Sequence, residues 1–119
     1  MKEIKIFEDA IRNGAKSLKE LGINHTLFWV YRASKESGND LIDFSEVIWD
    51  YDIEDIISTL RENGLTEFTI SSTFSSLIPT LAEFEKRGCR MAGLTEVKSS
   101  HRNFRTDEYD LIPAIKMSL

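Results

Sequence analysis

Ile4, Phe7, Ile11, Leu18 and Leu21 recur at intervals of three, four and seven residues, the apolar stripe of an amphipathic helix that Gly22 can end. Gly14 falls on the same stripe, where it weakens a helix by about 1 kcal/mol relative to alanine and marks a close crossing with another element. Asn24 is placed to cap a second helix. Its residues Leu27, Phe28, Trp29, Val30 and Tyr31 are apolar nearly all round, so it must be buried on several sides, and Gly38 closes it. The aromatic and β-branched stretch from Thr26 to Tyr31 also suits a strand; the polar continuation from Arg32 to Gly38 favours the helix.

From Leu41 the period shortens to two. Ile42 and Phe44 alternate with Asp43 and Ser45, which predicts a short strand. Asp52 then reads as the cap of a third helix with Ile53, Ile56, Ile57 and Leu60 on one face and Asn63-Gly64 as its stop. Glu67 to Ser71 reads as a strand with Phe68 and Ile70 on one side. A fourth helix carries Leu77, Ile78, Leu81 and Phe84 inward and ends at Gly88, with Pro79 tolerated in its first turn. Met91 to Lys98 and Tyr109 to Met117 complete the series as strands of an antiparallel hairpin with a polar tip. Pro113 cannot donate to a strand ladder, so the last strand is expected at an edge or with a bulge.

Two helices followed by strand, helix, strand, helix, strand, strand define an α/β or α+β fold. The expected sheet is small, mixed and mostly parallel, with the hairpin adding an antiparallel strand. No repeat, low-complexity tract or linker divides residues 1–119, so a single domain is expected. At this length roughly two-thirds of the unfolded surface is buried on folding, which suffices for a core without metal or disulfide. Cys89 is the lone cysteine, and the two histidines, His25 and His101, lie far from it in sequence. A small buried hydrophobe is the simpler role for it than a nucleophile lacking a base. Charges interrupt every apolar run near Met1, and no later stretch has the length of a membrane span, which together point to the cytoplasm and no membrane.

Charge is divided along the chain. Residues 40–67 hold nine acids against Arg61 alone, a net of −8, while residues 86–105 hold six basic residues against Glu96, a net of +5. Unless folding brings these segments together, each offers a charged surface to something else. The acids do not have the spacing of a calcium loop, and acids near a helix start complement its dipole, so no metal is assigned. Trp49 and Tyr51 flank Asp50, and with Asp52 and Asp55 they form the first candidate partner-binding face; size alone argues that Trp49 packs inside. Arg102, Phe104 and Arg105, on the segment beginning at Lys98, form a second candidate at the hairpin tip. They could hold a phosphate backbone and stack a base, but a protein of net charge −5 repels a polyanion, so an acidic protein surface suits them better. Ser71, Ser72, Thr73, Ser75 and Ser76 lie between a strand and a helix, a common anion-binding location. They lack the glycines of a phosphate loop, and turn formation explains them more cheaply. No catalytic residue and no cofactor can be assigned.

Leu41-Ile-Asp-Phe-Ser-Glu-Val-Ile-Trp-Asp, Glu67-Phe-Thr-Ile-Ser-Ser-Thr-Phe-Ser-Ser and Phe84-Glu-Lys-Arg-Gly-Cys resemble a family of small uncharacterised bacterial proteins associated with mobile genetic elements. That resemblance covers most of the chain and carries no agreed activity. It implies an accessory protein acting on another macromolecule. The sequence therefore argues for a non-catalytic interaction or regulatory module with a protein partner, ahead of a small-ligand or anion-binding domain using Ser71 to Ser76, with nucleic acid third.

Overall fold

The protein is described by a computed structural model covering residues 1–14, 18 and 20–119. Among these residues eight elements follow in order: α1 (Lys5–Arg12), α2 (His25–Ser37), β1 (Asp43–Phe44), α3 (Asp50–Glu62), β2 (Glu67–Ile70), α4 (Leu77–Lys86), β3 (Arg90–Asn103) and β4 (Glu108–Ser118). The sequence pattern predicts each of them, with differences in extent that have physical causes.

The first helix stops at Arg12 instead of continuing to Leu21. Asn13 caps it, and Gly14 follows in the left-handed region at φ 62°, so the glycine on the stripe ends the helix instead of packing within it. The rest of the expected helix lies partly outside the described residues. Ile4, Phe7 and Ala10 are buried, whereas Ile11 and Leu21 are exposed. In α2 the cap is as expected: Asn24 Oδ1 accepts from the Leu27 N–H at 2.9 Å, and Gly38 closes the helix at φ 80°. Leu27, Phe28, Val30 and Tyr31 are buried, but Trp29 is about half exposed, so one flank of the helix faces outward. In α3 the four aliphatic residues named from the pattern are all buried. In α4, Phe84 and Thr80 are buried, Leu77 and Leu81 partly so, and Ile78 points outward, contrary to expectation.

The sheet is mixed, with strand order β1-β2-β4-β3. β1 pairs parallel with β2, and β4 runs antiparallel to both β2 and β3. Three strands therefore share one direction, and the fourth is inserted between two of them. Phe44, Phe68, Ile70 and Met117 line the apolar face, where the Phe68 ring meets Phe84 of α4 at 5.2 Å and Phe44 at 5.5 Å.

Pro113 sits in this inserted strand without breaking a ladder. The Lys98 N–H and C=O both bond sideways to Asn39, at 2.8 Å each, so Lys98 and its partner Leu111 form a pair without mutual hydrogen bonds. Two residues on, Glu96 and Pro113 repeat that geometry, and the imide nitrogen of Pro113 points away from β3. On that side β2 has already ended, since its last pair is Ile70 with Ile115. The expected edge is thus local: β4 is central over 115–118 and one-sided before that.

β1 also departs from simple alternation. Asp43, expected to face outward, is only 7% exposed. Its carboxylate accepts from Thr69 Oγ1 at 2.7 Å and Ser71 Oγ at 2.6 Å, and its N–H donates to Ser34 Oγ at 2.9 Å. The sheet is covered on both faces at this edge, which leaves no solvent side for the strand.

Candidate functional site

The loop leaving β1 delivers Trp49 as the residue before α3, and the first turn of that helix carries Asp50, Tyr51 and Asp52. Trp49 is 55% exposed and Tyr51 81% exposed, against the expectation that Trp49 is core. Their rings lie parallel, 5° apart, with centroids 6.5 Å from one another. The helix geometry explains this: Ile53, Ile56, Ile57 and Leu60 claim the inward face, which turns positions 49–51 and 54–55 to solvent.

Asp52 is not the cap expected from sequence. It lies inside the first turn, where its carboxylate accepts from Asn24 Nδ2 and Thr26 Oγ1, each at 3.0 Å. It therefore ties the start of α3 to the start of α2 and is unavailable to a partner. Asp50, Glu54 and Asp55 remain on the outside, and among the described residues none of them is within 4 Å of a basic group.

Among the described residues no ion pair joins the acids of 40–67 to the cations of 86–105. Of the nine acids in 40–67, only Glu67 makes an ion pair among the described residues, with Lys116 at 4.0 Å. Arg87 bonds to Glu83 at 2.8 Å, and the Arg90 guanidinium bonds to the Glu85 and Cys89 carbonyls. The Arg87 guanidinium is held above its ordinary value chiefly by Glu83, with Glu54 and Asp50 adding attraction, which places the end of α4 near the acids of α3.

The basic hairpin tip does not survive folding as a basic surface. The turn carries Asp107, Glu108 and Asp110 back beside Arg102 and Arg105, so residues 102–110 have a net charge of −1. Arg102 pairs with Asp107 at 3.1 Å and lies 5.7 Å from the centre of the Tyr109 ring. Phe104 is fully exposed, and Arg105 lends its backbone N–H to Asn103 Oδ1. The excess of cations over 86–105 is offset by the acids that begin at Asp107, immediately beyond that segment.

In the serine segment, Ser71 Oγ donates to the Asp43 carboxylate, and the Ser71 and Ser72 N–H groups both donate to the Phe44 carbonyl. A carboxylate sits where an anion site would need donors, and Ser72 is buried. Thr73, Ser75 and Ser76 are exposed, and Ser76 precedes α4 without a side-chain cap bond. An open groove of about 440 Å³ lies elsewhere, between residues 38–41 and the strands near Thr69, Thr95 and Lys98. A smaller cavity of about 180 Å³ adjoins it beside Ser34, Ser37 and Asp43. None of residues 71–76 lines either. Cys89 is fully buried, which raises its thiol above the ordinary value and makes it a poor nucleophile.

These features define a small α+β domain with an exposed aromatic pair set among acids that form no ion pair among the described residues. Residues 26–119 match the Domain of unknown function DUF7698, and the chain belongs to that family. No curated protein and no solved structure matches it. Among the described residues no helix is long and apolar enough to cross a membrane, and no group of acids, histidines and cysteine is arranged to hold a metal ion.

Proposed function

We propose that this protein is a non-catalytic interaction module that docks a basic protein surface on Trp49, Asp50, Tyr51, Glu54 and Asp55. The observation that carries the reading is the parallel Trp49–Tyr51 pair held open to solvent beside carboxylates that form no ion pair among the described residues. Large aromatic rings stabilise a fold by burial, so two of them left outside at one helix start are better suited to an interface. Their faces attract cations, and the carboxylates around them supply long-range attraction to arginine and lysine. An accessory role in the cytoplasm, acting on another macromolecule, fits such a surface.

The test replaces Asp50, Glu54 and Asp55 with lysine, and separately Trp49 and Tyr51 with alanine. A partner captured by the wild-type protein should be lost in both variants while the circular dichroism spectrum is unchanged. Asp52 is left intact because it holds α2 to α3. Retention of the same partner by both folded variants would exclude this face.

A further inference from the structure

We propose that two copies of this chain pair antiparallel along the outer edges of β3, about a two-fold axis through Thr95, joining their sheets into one. β3 is the last strand of the sheet, so among the described residues one of its sides has no partner strand. Which backbone groups point outward follows from two independent observations. Lys98 bonds sideways to Asn39, and with a period of two Glu96 and Leu94 face the same way. From the other direction, the Thr69 and Ser71 N–H groups donate to β1, so Ile70 faces β4 and bonds Ile115; Ile115 then turns away from β3, and its partner Leu94 turns outward. Leu94 and Glu96 thus present an N–H and a C=O each to the open edge, and among the described residues nothing accepts or donates to them.

The free edge is bounded at both ends. The register shift between Met91 and Gly93 bends the strand on one side, and the Asn39 amide occupies Lys98 on the other. Bulges and charges usually blunt an edge, but here they bracket a short window that no described strand pairs with. Within that window a second copy is the complementary occupant. Setting Thr95 opposite its own counterpart places Leu94 against Glu96 of the second copy in both directions, and every free group finds a mate. The register one pair further along sets Glu96 against Glu96 and requires the groups that Asn39 already holds, so like-charge repulsion and geometry both reject it. Leu94 is 83% exposed and Met91 64% exposed on the same stretch, apolar surface that pairing would cover in part. This inference rests on the sheet edge alone and is independent of the acidic face.

Sedimentation equilibrium on the full chain should show a concentration-dependent species of twice 13.7 kDa. Glu96→Pro removes an outward N–H without touching the hairpin ladder, as Pro113 does opposite it, and should raise the dimer dissociation constant by about tenfold or more. Thr95→Cys should form an intermolecular disulfide under mild oxidation, because directly opposed residues of this kind have Cα atoms about 4.5 Å apart. Ser75→Cys should not cross-link comparably, and buried Cys89 is silent in both variants. Should Glu96→Pro fail to fold, Leu94→Lys with the Thr95→Cys cross-link decides the matter. A monomer at every concentration, or a dimer in which Thr95→Cys does not cross-link, overturns the proposal. Alanine at Trp49 and Tyr51 should leave dimerisation unchanged.

Discussion

Asp43 and Trp49 invert the usual assignment of polar residues to the outside and aromatic ones to the inside, and each inversion has a measurable consequence. A buried carboxylate is tolerated only where donors reach it, and the Thr69 and Ser71 hydroxyls supply them, while the Asp43 N–H donates to Ser34 Oγ and fixes the backbone. Removing the acceptor leaves the two hydroxyls without their partner in a tight site. Asp43→Ala should therefore lower stability by about 2–4 kcal/mol, read as a reduced urea midpoint with an unchanged slope. Trp49 stands at the other extreme, since truncating a half-exposed side chain creates no cavity. Trp49→Ala should change folding stability by no more than about 0.5 kcal/mol while abolishing capture of the docking partner. That split between stability and binding separates an interface residue from a scaffold residue.

At the level of elements, α1 is fastened to α2 by a polar chain as well as by the Phe7, Phe28 and Tyr31 rings. Tyr31 is fully buried; its hydroxyl donates to Glu8 and accepts the Ile4 N–H at 3.3 Å, and Lys35 also binds Glu8. The bond from Lys35, then that from Tyr31, holds the Glu8 carboxyl below its ordinary value of 4.5. Burial first, and Glu8 second, pushes the Tyr31 phenol well above its usual range. A lowered carboxyl contributes stability that is complete above the unfolded value and is lost as pH falls through the folded one. Unfolding midpoints should thus be flat at neutral pH and fall below about pH 4.5, and Glu8→Gln should shallow that decline. Glu83, lowered in the same direction by Arg87 and then Lys86, supplies part of the remaining slope. Element identities such as these were legible in the sequence because local chemistry specifies them: Asn24 as a cap, the aliphatic face of α3, Gly38 as a stop. Sheet order was not, because nothing near Tyr109 to Met117 states that this strand enters between β2 and β3. Pro113 announced an unpaired side but not that the same strand is central a few residues later. For the candidate site, residue types were legible and exposure was not: Trp49 faces solvent only because α3 commits its other face to the core. The hairpin tip is not a basic surface for a related reason, since Asp107, Glu108 and Asp110 follow Arg105 within five residues and the turn folds them back beside its cations.

The whole molecule raises a question about its own boundaries. The family match begins at Thr26, inside α2, yet the core does not. Ile4 and Phe7 are at most 1% exposed and Ala10 is 4% exposed, and the Phe7 ring meets Phe28 at 5.6 Å and Tyr31 at 5.3 Å, edge to face. Across the molecule, Lys2 Nζ donates to the Gly64 carbonyl at 3.1 Å, which brings the start of the chain to the end of α3. Burying side chains of this size is worth about 1.5–3 kcal/mol each, and removing them would expose the Phe28 and Tyr31 surfaces they cover. The total approaches the entire stability of an ordinary domain, about 5–15 kcal/mol. A chain lacking residues 1–22 should therefore lose its cooperative thermal transition even though it retains every residue of the family match. Phe7→Ala, the milder version, should cost about 3–5 kcal/mol and keep a single transition at lower temperature. A fully stable, cooperatively melting fragment of 23–119 would show instead that α1 is an appendage resting on a self-sufficient core, and the ring contacts of Phe7 would then count as decoration of the fold, not as part of what holds it.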